Sequence, residues 1–344
     1  MAVSVECVER LWKAFCLWPA ATIGRMPRVL LIKTSSMGDV IHCLPAATDM
    51  QRHIPGLQLD WVVEEGFADI PRLHPVVNSV IPVAIRRWRK NLFSKEIRQE
   101  FAAFRQTLQQ QAYDLVLDTQ GLLKSAWIGR MVNAPYSGYD SQSIREPLAS
   151  WFYQKKFSVS RQLHAVQRNR QLAAQAMGYV IDPQLDYGLS IEKQTFAWLT
   201  SQPYVVGLHA TSRADKEWPE AHWIELAQKL AMSGLNLVLP WGSAQEQQRA
   251  QRLANALPNA IVAPRLNLQQ AAALLAGARL VVGVDTGLTH LAAAVGVPVI
   301  ALYCASEPGL TGVLGKAFAV NLGGMAEIPS IEQAWEQVQR VLAA

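Results

Sequence analysis

The sequence predicts an α/β protein made of two doubly wound, Rossmann-like domains, each with a parallel sheet covered by helices. Short apolar segments typical of buried strands alternate with segments of helical periodicity, which is the pattern of parallel sheets. The alternation runs twice, first from Arg28 and again from Tyr204. The chain has 344 residues, enough for two domains with a core each. We therefore expect two domains that face a central cleft.

The first domain is assigned to residues 26–185, where strand-like and helix-like segments alternate. Strands are predicted at residues 29–33, 59–63, 80–83 and 114–118. Helices are predicted at residues 40–52, 95–111, 122–132 and 161–177, and Gly178 ends the last of them as a C-terminal glycine often does.

The second domain is assigned to residues 204–328, after a linker at residues 186–203. Strands are predicted at residues 204–208, 235–239, 260–263, 280–284 and 299–303. Helices are predicted at residues 222–232, 244–255, 269–276 and 288–295. A final helix within residues 329–344 is expected to pack back onto the first domain.

Composition and charge limit the class of protein. Hydrophobic residues make up 50% of the chain and charged residues 17%, which is typical of a globular protein. No apolar run has the length that a membrane-spanning helix needs. The 4 cysteines are far apart and form no CxxC pair, so neither a disulfide framework nor a zinc site is indicated. The net charge of +5 points to an acidic partner such as nucleotide phosphates or anionic lipid.

Residues 1–25 precede the first strand and are a poor signal peptide, because Glu6 and Glu9 lie before any apolar core. Two interpretations are open. Apolar residues recur at helical spacing from Val5 to Phe15, which fits an amphipathic surface helix. We favour the other, in which translation starts naturally at Met26 and the extension is a dispensable arm.

Ligands of open parallel sheets bind beyond the carboxyl ends of the strands, so the residues directly after strands are the ones to inspect. In the second domain, one such loop holds Thr211, Ser212 and Lys216, and hydroxyls with a cation suit phosphate oxygens. Lys216 is the candidate to offset charge on a leaving diphosphate. Residues 285–290 begin a helix after a strand, a geometry that binds a diphosphate through amide donors and the helix dipole. His290 is either structural or part of this anion site.

In the first domain, residues 33–39 form a small, polar segment between the first strand and a helix. The segment lacks the G-K-[ST] of a Walker loop and the glycines of a dinucleotide fingerprint. Small residues there let a ligand approach the backbone at a helix N-terminus. Asp39 at its end either caps the helix or serves the cleft.

A basic run in the first domain surrounds Trp88. It consists of Arg86, Arg87, Arg89 and Lys90. Such a cluster is either a solvated face or a contact for phosphates, nucleic acid or anionic lipid, and we favour an anionic ligand. Lys124 and Arg145 show the same chemistry more weakly, and Glu246 is placed to accept hydrogen bonds from a ribose diol. Since the chain has no Asp-x-Asp, protein cations and a helix N-terminus must stabilise a leaving diphosphate without a metal.

Several of these segments, in this order, resemble glycosyltransferase family 9, and in particular the members that add the first heptose of lipopolysaccharide. The segments are residues 33–42, 61–67, 86–90, 209–211 and 285–291. The resemblance spans residues 26–312 and implies the GT-B fold. It implies an inverting transfer from ADP-heptose to the inner Kdo of Kdo2-lipid A. It also implies a cytoplasmic protein that lies peripherally on an anionic membrane surface, the inner membrane, with nucleic acid excluded as a partner.

The resemblance implies a role for each candidate residue. Asp39 is implied as the general base and Lys216 as the cation facing the departing ADP. The implied donor-binding residues are Ser36, Thr211, Ser212, Lys216, Glu246, Leu266, Asp285, Thr286, Gly287 and His290. The implied acceptor-binding residues are Arg86, Arg87, Arg89, Lys90, Lys124 and Arg145. Neither a metal nor another cofactor is implied, because ADP-heptose is a substrate.

Three alternatives are open. Members of the family that add the second heptose share the general pattern, although residues 34–39 and the basic run favour the first-heptose type. A Rossmann-type oxidoreductase would need the Gly-rich fingerprint that residues 33–39 lack. A non-catalytic two-lobed binding protein would need no base at Asp39. Residues 303–308 depart from the family's pattern, which leaves the geometry of that loop open.

Overall fold

The computed structural model describes residues 26–91, 94–192 and 194–344. The described chain divides into two units. The first comprises the chain up to Ser35 with His42–Gln184, and the second comprises Ser36–Ile41 with Leu185–Ala344. The arm or amphipathic helix expected within residues 1–25 lies outside the described residues.

A six-stranded parallel sheet forms the first unit. Its strands are β1 (Arg28–Ile32), β2 (Gln58–Glu64), β3 (Val77–Val83), β4 (Leu115–Asp118), β5 (Tyr136–Tyr139) and β6 (Lys155–Phe157). The spatial order is β3-β2-β1-β4-β5-β6, so the chain moves outward on one side of β1 and then on the other side from β4. β1, β2 and β4 are buried almost throughout, as expected of parallel strands covered on both faces.

Helices connect these strands. They are α1 (Met37–Ile41), α2 (Leu44–His53), α3 (Asp69–Arg72), α4 (Ile85–Trp88), α5 (Lys95–Gln109), α6 (Leu123–Gly129) and α7 (Ala165–Met177), with 3₁₀ helices at Glu65–Phe67 and Pro147–Phe152. Local chemistry sets their ends. The Ser94 hydroxyl accepts a hydrogen bond from the Ile97 amide at the start of α5, and Gly178 ends α7 with φ 75°.

A second six-stranded parallel sheet forms the second unit. Its strands are β7 (Tyr204–Leu208), β8 (Asn236–Leu239), β9 (Ala260–Val262), β10 (Leu280–Val284), β11 (Val299–Tyr303) and β12 (Ala319–Gly323). Its helices are α8 (Glu220–Met232), α9 (Ala244–Asn255), α10 (Leu268–Ala276), α11 (Gly287–Ala294) and α12 (Ile331–Leu342), with a 3₁₀ turn at Ala214–Lys216. The spatial order is β12-β11-β10-β7-β8-β9, so the chain adds β8 and β9 on one side of β7 and then β10, β11 and β12 on the other side.

The predicted fold class is confirmed, since both sheets are parallel and carry helices between their strands. Three strands were not predicted. They are β5 and β6, which are short and partly polar, and β12, which lies at a sheet edge. The single helix expected at residues 40–52 is two helices, α1 and α2, because Pro45 stands in the first turn of α2 and starts a new helix there.

The expected docking of the C-terminal helix on the first domain is wrong. α12 packs on α8, β11 and β12 of the second unit. Its apolar side chains Ile331, Ala334 and Val338 join a buried cluster with Trp218 and Leu226. The amphipathic pattern identifies which face of this helix is buried, whereas the sheet it covers is set by the chain that precedes it. Within the described ranges, no helix has both the length and the apolar character to cross a membrane.

Candidate functional site

The carboxyl ends of β7 and β10 define one candidate site in the second unit. The two strands pair directly and in parallel, and successive strands are added on opposite sides of this pair. Such a switch point opens a crevice beyond the strand ends, since the connections leave it on opposite sides. The loop with Thr211 and Lys216 follows β7, and the Asp285–His290 segment follows β10, so the structure brings the two predicted anion-binding segments together.

An ion pair links these two loops. The Lys216 Nζ lies 2.6 Å from Asp285 Oδ2, and each side chain is about one fifth exposed. The Ser306 hydroxyl donates to the same carboxylate at 2.6 Å, and the Thr211 hydroxyl donates to the Asp285 carbonyl at 2.8 Å. Burial opposes ionisation of Asp285, but hydrogen bonds from Lys216 and Ser306 outweigh it and hold its pKa below the ordinary value. The loop after β7 is thereby fixed against the loop after β10.

The N-terminus of α11 opens beside this pair. Thr286 is the N-cap residue in extended conformation, and no side chain caps the helix there. The Thr289 hydroxyl points back instead and donates to the Val284 carbonyl at 2.6 Å. An uncapped helix start presents amide donors and the positive end of the helix dipole. With Lys216 next to it, this geometry suits a phosphate or diphosphate.

α1 packs against α11, and glycines make the close approach possible. A Cβ on Gly287 would lie within 2.7 Å of three side-chain atoms of Met37, and a Cβ on Gly38 would lie 3.2 Å from His290 Cδ2. Ser36–Ile41 therefore groups with the second unit, although it follows β1 of the first. The buried His290 imidazole forms part of this packing, so it has a structural role beside the predicted anion site.

Asp39 closes the start of α1. Its Oδ2 accepts hydrogen bonds from the Ser36 amide at 2.6 Å and from the Ser36 hydroxyl at 3.1 Å. This contact is half of a capping box, in which the third helical residue satisfies the N-cap amide. The capping interpretation of Asp39 is thus realised in the structure. A cap and a catalytic carboxylate are compatible, since one oxygen makes both contacts.

Glu246 and Leu266 lie toward the other edge of the second sheet. The Glu246 carboxylate accepts from the Gly242 amide at 2.7 Å and holds the loop after β8, while Ser243 caps α9. The Trp241 indole donates to the Ala263 carbonyl at 2.7 Å, which ties this loop to the one after β9. Leu266 follows in that loop and is half-buried. Ser212, by contrast, is exposed.

The first unit has its own switch point, between β1 and β4, and its loops satisfy one another. Gln120 Oε1 accepts from the Thr34 amide at 2.8 Å and from the Ser35 amide at 3.0 Å. Lys124 Nζ donates to the Ser35 hydroxyl at 2.8 Å. Lys124 was predicted to face the acceptor, whereas no role was predicted for Gln120, because its hydrogen-bond partners lie far away along the chain.

Buried Asp118 anchors the loop that carries Gln120. Its Oδ1 accepts from the amides of Gln120 and Gly121 at 2.8 and 3.1 Å. Its Oδ2 accepts from the hydroxyls of Tyr153 and Tyr136 at 2.9 and 3.2 Å. Burial raises the pKa of Asp118, against the effect of these hydrogen bonds.

Two arginines of the basic run contact side chains of the first unit. The Arg87 guanidinium contacts Glu65 twice, at 3.1 and 3.0 Å, and Glu100 at 3.0 Å, and these hydrogen bonds raise its pKa. The Arg86 guanidinium lies 5.2 Å from the centre of the Phe67 ring. Arg89, Lys90 and Arg145 are exposed. Trp88 was expected to take part in an anion contact together with the cations around it, but it is buried against Phe101 and Phe104.

No group of three His, Cys, Asp or Glu side chains in the described part of the chain is arranged to hold a metal ion.

Comparisons with known proteins agree on one family. The profile of Glycosyltransferase family 9 (heptosyltransferase) matches residues 101–336. The chain is 55% identical to Lipopolysaccharide heptosyltransferase 1 of Pseudomonas aeruginosa, over 86% of this chain and 83% of that protein. It superimposes on E. coli heptosyltransferase WaaC with ADP with a TM-score of 0.85 and 46% identity, over 91% of this chain and 99% of that chain.

Further similarities concern the donor substrate and the alternative that the protein adds the second heptose. The structure of E. coli heptosyltransferase WaaC with ADP-2-deoxy-2-fluoro heptose matches with a TM-score of 0.82 and 45% identity, over 91% of this chain and 99% of that chain. Lipopolysaccharide heptosyltransferase 2 of E. coli is 36% identical over 31% of this chain and 32% of that protein. That alignment spans about a third of the sequence, whereas the structure of E. coli ADP-heptose lps heptosyltransferase II matches the fold over 92% of this chain and 98% of that chain, with a TM-score of 0.72 and 23% identity.

Proposed function

Since the chain belongs to glycosyltransferase family 9 (heptosyltransferase), we propose that it transfers heptose from ADP-heptose to the inner Kdo of Kdo2-lipid A. That the chain is a glycosyltransferase follows from the family itself. One observation carries the finer proposal. Lys216, held by Asp285, lies beside the start of α11, which no side chain caps, at the switch point of the second sheet. The first-heptose type is favoured, because relatives named for it match most of the chain.

The second unit binds ADP-heptose. Its diphosphate lies at the start of α11, where Thr286 and Gly287 lead into the helix and Lys216 supplies a full positive charge. Asp285 keeps Lys216 oriented, and Thr211 with Ser212 offers hydroxyls to the phosphate oxygens. Glu246 faces the ribose diol and Leu266 the adenine. These cations and dipoles stabilise the departing ADP, so transfer proceeds without a divalent cation.

Asp39 is the general base of an inverting displacement. The acceptor hydroxyl oxygen attacks the anomeric carbon of heptose while its proton passes to the Asp39 carboxylate. The bond from that carbon to the ADP oxygen breaks with its electron pair, and ADP leaves from the opposite face. The Ser36 contacts hold the carboxylate in one orientation, which is what a positioned base requires.

Cations of the first unit receive the anionic acceptor. Arg86, Arg89 and Lys90 are exposed and contact its carboxylates or phosphates, as do Lys124 and Arg145. Arg87 contributes by holding the run in place, since its guanidinium is already engaged by Glu65 and Glu100. Because this acceptor is a lipid, the protein acts peripherally at the cytoplasmic face of the inner membrane.

A transfer assay tests this function. ADP-heptose is supplied with Kdo2-lipid A in EDTA, and the products are identified by mass spectrometry. We expect one heptose to be added per acceptor with release of ADP, at a rate that EDTA leaves unchanged. Transfer only to an acceptor that already carries one heptose would establish the second-heptose activity instead. Loss of transfer in EDTA would contradict the metal-free mechanism alone.

A further inference from the structure

Large apolar side chains are exposed together on two adjoining elements of the first unit. They are Leu123 and Trp127 of α6, and Leu148, Trp151 and Phe152 of the Pro147–Phe152 3₁₀ helix, and we call them the apolar face. Trp127 is 51% exposed and Trp151 is 75% exposed. Elsewhere in the described part of the first unit, large apolar side chains of comparable exposure are limited to Met26 and Val180. Contiguous exposure of this kind marks an interaction surface, whereas single exposed residues do not.

The apolar face is built on a fixed support. α6 packs on the 3₁₀ helix, and the Glu146 carboxylate accepts from the Leu123 amide at 2.7 Å, which joins the start of one element to the start of the other. Inside the 3₁₀ helix, the Ser150 hydroxyl donates to the Pro147 carbonyl at 2.7 Å. The exposed rings are therefore held outward by ordered backbone.

Positively charged residues flank the 3₁₀ helix of this face along the chain. Arg145 precedes the 3₁₀ helix, and Lys155 and Lys156 follow it on the edge strand β6, all of them exposed. Glu146 is the acidic residue between them, and its carboxylate is used in the support of α6. Tryptophan and leucine within a rim of lysine and arginine form the combination that binds the interface of an anionic bilayer.

The face continues into a groove beside the basic run. Trp127 stacks on Phe101 with 5.2 Å between ring centres, and both line a cavity of about 290 Å³ with Ile85 and Trp88. Arg89, Ile97 and Arg98 complete this lining. Apolar surface thus extends from Trp127 toward Arg89, one of the cations that we assign to the acceptor.

We propose that the apolar face is the surface by which the protein docks on an anionic lipid bilayer. Trp127 and Trp151 lie at the level of the lipid headgroups, and Lys155 and Lys156 contact the anionic phosphates. The inference rests on the proposed function, because a lipid-linked acceptor has to be met at a membrane. It goes further because it assigns the membrane contact to the five side chains of the apolar face.

Vesicle flotation tests the assignment. The probe is a vesicle of phosphatidylethanolamine and phosphatidylglycerol, with pure phosphatidylcholine vesicles for comparison. We expect the protein to bind the anionic vesicles and to lose binding as salt rises. Trp151→Ser should weaken binding several-fold, and Trp127→Ser with Trp151→Ser by about tenfold or more. Lys155→Gln with Lys156→Gln should weaken it only on anionic vesicles.

A matched control comes from the second unit, where Met232 is also highly exposed. Met232→Ser should bind vesicles as the unaltered protein does. Heptose transfer to a deacylated, water-soluble acceptor should be the same for all these variants, which shows that they fold and separates this inference from the proposed function. Absence of vesicle binding by the unaltered protein, or equal binding by the tryptophan variants, would overturn the assignment. Dissociation of a dimer by Trp151→Ser with vesicle binding intact would overturn it in favour of self-association.

Discussion

The two switch points of this molecule have the same topology and different chemistry. In the first unit, between β1 and β4, Gln120 accepts from the amides of Thr34 and Ser35, and Lys124 donates to Ser35. In the second unit, between β10 and β7, the start of α11 has no side-chain cap and Lys216 lies beside it. The first set of loops satisfies its own donors, whereas the second leaves the amides of a helix start without a side-chain cap and places Lys216, paired with Asp285, beside them.

The difference shows how repeated architecture acquires two roles. A switch point supplies a crevice in either sheet, but an anion is held only where amide donors and cations face outward. Self-satisfied loops give a rigid platform instead, which suits positioning of an acceptor. We infer that the second switch point binds the donor and that the first holds the segment leading to Asp39.

The largest loss of turnover is expected from substitution of Asp39. Asp39→Asn keeps an oxygen that caps Ser36 but removes the base, so turnover should fall by about 10²–10⁴-fold. ADP affinity should stay unchanged, because the base acts on the acceptor. Steady-state kinetics and calorimetric ADP titration measure the two quantities. Asp39→Ala, which also removes the cap, serves as the comparison, and a similar turnover for Asp39→Asn and the unaltered protein would exclude the base role.

Lys216 carries the next largest effect, since it supplies the charge that distinguishes the second switch point. Lys216→Met should lower the transfer rate by about 10²–10³-fold, as expected when a group that stabilises the leaving charge is removed. Asp285→Asn leaves the lysine present but loosely oriented and should cause a smaller loss. Single-turnover rates for both variants give the order. A larger loss in Asp285→Asn would place the critical charge elsewhere.

His209 should make the free energy of unfolding depend on pH. It follows β7 and is fully buried. Burial, reinforced by the charge of Arg249, lowers its pKa to about 4. The unfolded chain, with a histidine pKa of about 6.5, binds the proton first, so stability falls as pH drops from 6.5 toward 4. The loss at pH 5 is about 2 kcal/mol.

Chemical denaturation at pH 8 and pH 5 checks this expectation. His209→Gln should show a pH difference in the free energy of unfolding that is smaller than that of the unaltered protein by this amount. An identical pH dependence in both proteins would show that His209 titrates normally.

Removing the hydrogen bonds that Gln120 accepts at the first switch point should have the smallest effect on turnover. Gln120→Ala leaves the amides of Thr34 and Ser35 without their acceptor, which should cost about 1–2 kcal/mol of stability. Turnover should fall several-fold while ADP affinity is retained. Gln120→Glu keeps a carboxylate oxygen for both amides and should retain most of the stability. Denaturation midpoints separate the two variants, and equal midpoints would remove Gln120 from the support of this loop.

The fold class is confirmed, and it could be predicted together with the positions of the candidate anion-binding loops because both depend on local patterns. Alternating strands and helices identified the two sheets, and Thr211, Lys216 and Asp285 follow strands that prove to be neighbours. Hydrogen bonds between residues far apart in the sequence could not be predicted from local patterns. Gln120 is 86 residues from Thr34, and Arg87 meets Glu65 and Glu100 through the packing of separate elements. The partner of α12 was predicted wrongly, since an amphipathic stripe does not identify the surface that covers it.

ADP binding measured by calorimetry in EDTA, on two matched lysine variants, tests most directly that the second switch point is the donor site. Lys216→Met removes the cation beside α11, and Lys124→Met removes the one that contacts Ser35 in the first unit. Lys216→Met should weaken ADP binding by about tenfold or more, equivalent to about 1.4 kcal/mol, while Lys124→Met leaves it within about twofold. Equal weakening in both variants, or a larger loss in Lys124→Met, would contradict the division between the two units.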